Sequence, residues 1–150
     1  MTELDQLMAV MEAAFDPHWR EAWTRRQVEN SLATPHTYAI LIDEHGRALD
    51  DGAAAGGFVL ARRAPGEEEL LLIAVRPEMR HRGLGRILID RFSAMARDAG
   101  AERIFLEMRA NNPAERLYRG CGFEPIGRRA NYYRTLDGTA IDAITFARKL

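Results

Sequence analysis

The sequence predicts an α/β (α+β) fold in which a mixed sheet is covered by helices on both faces. Three observations predict it. Two helical patterns open the chain, an all-apolar run from Leu70 to Val75 sits at its centre, and strand and helix patterns follow one another behind that run. An apolar run without alternation reads as a strand buried on both faces, which requires helices above and below it.

Taken in order, Leu4, Leu7, Met8, Met11 and Phe15 recur at helical spacing, with Thr2 as N-cap and Asp5 three residues on, so a first helix ends before Pro17. Thr24 and Gln27 form a capping-box pattern for a short second helix, with Val28 and Leu32 as its apolar edge and Pro35 closing it. Thr37 to Ile42 and Ala54 to Ala61 read as a hairpin joined by a polar loop through Asp43, Gly46 and Gly52. Glu67-Glu68-Glu69 reads as a solvated turn after Pro65-Gly66 and ahead of the buried strand. The helix beyond Gly83 places Leu84, Ile87, Leu88, Phe92, Met95 and Ala99 on one face until Gly100 stops it. Arg103 to Met108 is a strand, Pro113 to Arg119 one or two helical turns ended by Gly120 and Gly122, and Phe123 to Gly127 and Ala140 to Ala147 are the last strands.

A chain of 150 residues is expected to form one domain, 1–150. A net charge of −1 supplies no basic excess, so no direct nucleic-acid partner is expected. Cys121 is the only cysteine and the four histidines are scattered, which excludes an internal disulfide framework and gives no metal site. Without an apolar stretch near the roughly 20 residues of a membrane span, or a signal-peptide pattern at Met1-Thr2-Glu3-Leu4-Asp5, the expectation is a cytoplasmic protein with no membrane association. A monomer is expected.

The chemistry concentrates at Arg80-His81-Arg82-Gly83-Leu84-Gly85-Arg86, where the buried strand turns into the central helix. The first turn of a helix carries N–H groups without internal partners at the positive end of the helix dipole, which suits a phosphate. Gly83 and Gly85 let a diphosphate approach the backbone, and Arg80, Arg82 and Arg86 surround it with positive charge. A Walker A loop would need Gly-Lys followed by Ser or Thr, but Arg86-Ile87 follows Gly85. A dinucleotide fingerprint would want a third glycine where Leu88 stands. A glycine turn that merely starts a helix stays open at this point.

The turn resembles the R/Q-x-x-G-x-G/A pyrophosphate loop of the GNAT family of N-acetyltransferases, and the order of elements resembles that family over nearly the whole chain. Ile73-Ala74-Val75-Arg76-Pro77, Leu106-Glu107-Met108-Arg109-Ala110-Asn111, Leu117-Tyr118, Gly122-Phe123 and Arg128-Arg129 followed by Asn131-Tyr132-Tyr133 are similar to its RimI branch, which acetylates the N-terminal alanine of a small-subunit ribosomal protein. The resemblance implies a mostly antiparallel sheet, acetyl-CoA as co-substrate and the N-terminal peptide of a ribosomal protein as partner. It implies that Ile73, Ala74 and Val75, the residues Arg80 to Arg86 (Arg80, His81, Arg82, Gly83, Leu84, Gly85, Arg86), Asn111 and Tyr118 bind the cofactor, and that Trp23 and a Tyr132-Tyr133 loop bind the peptide. Two departures accompany it. The family's usual first strand is missing or reduced to Met1-Thr2, and the segment between strand and short helix is one residue shorter, so one count selects Asn111 and another Asn112.

An α-amine with a pKa of about 7.7–8.0 is mostly protonated at neutral pH and must lose a proton before it attacks a thioester. The resemblance gives that base role to Glu107, through a water, and a carboxylate within Ile104-Phe105-Leu106-Glu107-Met108 is expected to be costly to desolvate and raised in pKa; a surface position paired with an arginine is the alternative. Tyr118 matches the family's general acid for the departing thiolate, against the alternative of a core filler. Transfer to a small amine or another protein N-terminus, and a catalytically silent acyl-CoA sensor, are the competing functions.

Overall fold

In the computed structural model, which describes residues 1–50 and 52–150, helix α1 spans Glu3–Ala14 and α2 spans Arg25–Leu32. Both carry the capping boxes that their sequences announce, Thr2 with Asp5 and Thr24 with Gln27, each satisfying two backbone donors reciprocally. Strands follow at Thr37–Ile42 (β1), Gly57–Ala64 (β2) and Glu67–Val75 (β3), then helix α3 (Leu84–Asp98), β4 (Arg103–Arg109), the short helix α4 (Glu115–Gly120), β5 (Glu124–Arg134) and β6 (Ala140–Lys149). They form one six-stranded sheet in the order β1-β2-β3-β4-β6-β5, antiparallel throughout except for the parallel β3–β4 pair.

Strand alternation builds two cores. Phe58 and Leu60 of β2 pack with Leu7, Val10 and Met11 of α1 and Val28 of α2. Val59 and Ala61 point the other way, to Leu88 and Phe92 of α3, Ile104 and Leu106 of β4, and Phe146. Phe92 has no exposed surface, so Phe92→Ala is expected to lower stability by about 3–5 kcal/mol, measured as a shift of the urea midpoint with unchanged slope.

Several boundaries differ from the sequence expectations for identifiable reasons. The second hairpin strand begins at Gly57 rather than Ala54 because Ala55 is held by side chains: its N–H donates to Gln6 Oε1 (3.0 Å) and its C=O accepts from Arg76 Nε (2.7 Å). At the other end it runs on through Arg62 and Arg63, which face Glu69 and Glu68 in register and pair with them at 2.5 and 2.8 Å. The acidic triplet is therefore strand, not solvated turn. Glu68 is fully buried, accepting from the Tyr38 hydroxyl and Arg63 Nε. On α3 the buried face is Leu84, Leu88, Ile89, Phe92, Ser93 and Ala96, while Met95 and Ala99 are exposed. Tyr132 and Tyr133 belong to β5 rather than to a loop, because pairing with β6 resumes at Tyr133↔Ile141 after an irregularity beyond Arg129. Met1 and Thr2 form no strand; Thr2 caps α1. No helix among the described residues is long and apolar enough to cross a membrane.

Candidate active site

Parallel pairing of β3 with β4 covers only Glu67–Leu70 against Arg103–Leu106. Beyond those residues β3 stays with β2 and β4 stays with β6, so the sheet opens between its two halves. For this reason Leu71, Leu72, Ile73 and Val75, expected to be buried on both faces, are only half-buried. The opening is a cleft of about 590 Å³, walled by Leu70–Val75 on one side and Leu106–Arg109 on the other. Backbone groups of β3 that face the gap have lost their strand partner and are available to a ligand.

One end of the cleft is the turn into α3. His81 (φ 64°) and Gly83 (φ 80°) are left-handed, and Gly83 is the N-cap, leaving the first-turn amides of α3 directed outward. Gly83 thus satisfies a conformational demand. Gly85 also serves packing: a Cβ there would stand 2.9 Å from Leu117 Cδ2, so its bare α-carbon lets α4 sit against α3. Arg80 donates to the C=O of Ala14 (3.0 Å), which ties the turn to the end of α1. Ile73, Ala74, Val75, Arg80, His81, Gly83, Leu84, Gly85 and Arg86 all line the cleft, whereas Arg82 is exposed outside its wall.

Glu107 and Tyr118 line the same cleft farther along β4 and α4. Glu107 is not the unpaired apolar-strand carboxylate that the sequence suggested. It points to the face of β4 opposite the Ile104, Leu106 and Met108 core, its side chain is 20 % exposed, and it takes Arg129 Nε at 3.3 Å and the Thr145 hydroxyl at 3.4 Å. Tyr118 is buried and packs edge-on against Phe123 with ring centroids 6.0 Å apart. Burial, followed by the negative charge of Glu21, pushes its phenol above the ordinary tyrosine range, so the hydroxyl keeps its proton. Tyr133, half-buried, is pushed up to about 12 by burial and then by the negative charges of Glu107 and Glu21, and neither it nor Tyr132 lines the cleft. Tyr132 is exposed, with its ring edge-on to Tyr133 and the guanidinium of Arg129 4.9 Å from its centroid.

The two asparagines separate cleanly. Asn112 lines the cleft and its Oδ1 accepts from the N–H of Ala114 (2.9 Å). Asn111, the preferred residue of the sequence reading, is the left-handed turn residue (φ 68°), and its C=O accepts from Arg109. Trp23 packs with the α1–α2 core rather than lining the cleft. Trp19 lines it instead, from a 3₁₀ turn at Pro17–Trp19.

Two cleft residues, Glu21 and Arg109, have no role assigned from the sequence, and they meet at Trp19, which the sequence does not separate from Trp23. The buried Arg109 guanidinium stands 3.7 Å over the Trp19 ring, donates to Glu21 Oε1 (3.1 Å) and to the C=O of Asn111 (3.1 Å). This cluster locks the loop before α2 to the end of β4. Leu136 N–H adds a bond to the C=O of His18 (3.0 Å), so the β5–β6 turn joins the same wall. Period-two spacing from Glu107 marks Arg109 as facing the same side; no local signal marks Glu21, whose partner is 88 residues away.

Residues 4–123 match the Acetyltransferase (GNAT) family. The chain is 33 % identical over 129 residues to the N-alpha-acetyltransferase RimI of Mycobacterium tuberculosis, covering 85 % of this chain and 76 % of that one. Its fold superposes on the ribosomal-protein-S18-alanine N-acetyltransferase of Escherichia coli with a TM-score of 0.82 at 26 % identity, over 99 % of this chain and 88 % of the other. Arabidopsis thaliana NAA60, solved in complex with acetyl-CoA, shares the fold with a TM-score of 0.79 at 20 % identity, over 99 % of this chain and 93 % of the other. The chain therefore belongs to the GNAT family of acetyltransferases, where it is RimI-like.

Proposed function

We propose that this enzyme transfers the acetyl group of acetyl-CoA to the N-terminal α-amine of a protein, with an N-terminal alanine of a ribosomal protein as the acceptor that its relatives' names indicate. The observation that carries the reading is the two-ended cleft. One end presents free helix amides and arginines for a diphosphate, and the other presents a carboxylate and a protonated phenol. The residues fit an acyl-CoA donor: the unpaired edge of β3 from Leu71 to Val75 suits an amide-rich pantetheine arm, and the first turn of α3 with Arg80 and Arg86 suits the diphosphate.

Bound acetyl-CoA supplies an activated thioester carbonyl. Amides of β3 near Ile73 and Val75 donate to the oxygen on which negative charge develops. Glu107 takes the proton of the acceptor ammonium, through a water, so that the nitrogen lone pair forms the N–C bond as the C–S bond breaks. Tyr118 gives its proton to the leaving sulfur and recovers one from the acetylated nitrogen, whose second proton is lost as the amide forms, so a thiol and a neutral amide leave. Trp19 and the Arg109–Glu21 pair form the wall against which the acceptor lies.

Intact-mass analysis of peptides that begin with alanine, that begin with serine, or that have a blocked N-terminus and an internal lysine, each incubated with enzyme and acetyl-CoA, tests this. The expected result is a gain of one acetyl group on the alanine peptide and none on the blocked lysine peptide. Acetylation of free small amines alone, or binding of acetyl-CoA with no acceptor modified, would contradict it.

A further inference from the structure

We propose that Arg129 is a placeholder cation on Glu107: its guanidinium occupies the carboxylate until the acceptor's ammonium displaces it, and it returns once the product is a neutral amide. This rests on Glu107 being the base.

Two arginines near this part of the cleft are held very differently: Arg109 lines it, whereas Arg129 lies outside its wall and reaches in only to Glu107. Arg109 is fixed from three sides, by Glu21, by the Asn111 carbonyl and by the Trp19 ring, and its side chain is 7 % exposed. Arg129 reaches Glu107 at 3.3 Å from an edge strand, and its side chain is 61 % exposed. Solvent screens such a pair, so it is worth little and is readily exchanged. The ring of Tyr132 lies 4.9 Å from the same guanidinium while it contacts Glu107, an attraction that does not depend on the carboxylate and can hold the side chain when the carboxylate is taken. Arg129 pairs in register with Ala143 and the irregular stretch beyond it is pinned by the Asn131 N–H to Asp142 (2.8 Å), so the exchange is a motion of the side chain alone. The remaining contact of Glu107, the Thr145 hydroxyl, is neutral and does not oppose an incoming cation.

Charge balance gives the device its direction. An arriving ammonium replaces one cation with another. When the proton has left and the amide has formed, no cation remains beside Glu107, and the guanidinium favours product departure by reclaiming it. Arg129 is on this account a positioning residue. It sets how strongly the acceptor must compete for the base.

Steady-state kinetics with an alanine-initiated peptide at saturating acetyl-CoA separates the possibilities, using the wild type, Arg129→Gln, Arg129→Lys and Glu107→Gln. Loss of a competitor worth no more than an exposed ion pair predicts that Arg129→Gln lowers the acceptor KM about two- to fivefold. The KM for acetyl-CoA stays constant, and Arg129→Lys brings the acceptor KM back toward the wild-type value. If Arg129 instead grips the acceptor peptide or only braces the strand, the acceptor KM rises or does not move, and the placeholder is overturned. Wild-type turnover in Glu107→Gln would overturn the base and the placeholder together; slow turnover there with an unimproved KM in Arg129→Gln would overturn the placeholder alone.

Discussion

Glu107→Gln is expected to reduce kcat about 10²- to 10⁴-fold, the usual contribution of a positioned base, with the dissociation constant for acetyl-CoA unchanged. The amide keeps the shape of the carboxylate and can still accept from Thr145, and only an exposed ion pair with Arg129 is lost, so thermal stability should hold. The deficit should depend on pH. Below the α-amine pKa of about 7.7–8.0 the acceptor arrives protonated and a base is indispensable; above it the acceptor is already neutral. Stopped-time assays from pH 7 to 9 should therefore show the variant gaining on the wild type as pH rises. A constant ratio of one throughout would remove Glu107 from the reaction.

Tyr118→Phe is expected to lower kcat within the same range, about 10²- to 10⁴-fold, while KM for acetyl-CoA changes little. The ring is buried and rests edge-on against Phe123, an arrangement that phenylalanine reproduces, so the substitution deletes a proton donor and little else. The wild-type phenol is held above its ordinary pKa of about 10 by burial and by Glu21, so it remains protonated through the working range. Its acid role should accordingly produce no alkaline decline in kcat up to about pH 10. A phenol that titrated within that range, or a fully active Tyr118→Phe, would require another route for the sulfur's proton.

Local chemistry explains which parts of this fold were readable in the sequence. Thr2 with Asp5 and Thr24 with Gln27 announce helix starts through contacts three residues apart, and both form as expected. The same holds for the glycine turn into α3, where Gly83 takes the left-handed backbone; the packing of Gly85 on Leu117 was not readable, because the chain brings them together only on folding. What escaped the sequence depends on partners far along the chain. Glu67-Glu68-Glu69 looks solvated until Arg62, Arg63 and Arg103 are placed opposite it. Glu107 looks like an unpaired buried carboxylate until β5 carries Arg129 across β6. Trp19 and Trp23 are indistinguishable by composition, and only the clamp of Arg109 on Trp19 decides which one faces the cleft. The one-residue ambiguity between Asn111 and Asn112 has a similar origin: folding puts Asn112 on the cleft and Asn111 in a left-handed turn.

The central claim is that the split between β3 and β4 receives the donor, with its diphosphate on the first turn of α3. Titrating coenzyme A into isotope-labelled protein and following backbone amide resonances tests it most directly. The account predicts saturable shifts concentrated at Arg82–Arg86 and at Ile73–Val75, with the amides of β1 and of the outer face of α2 unmoved. Saturable shifts that cluster elsewhere, or no shifts at a millimolar excess of ligand, would contradict it.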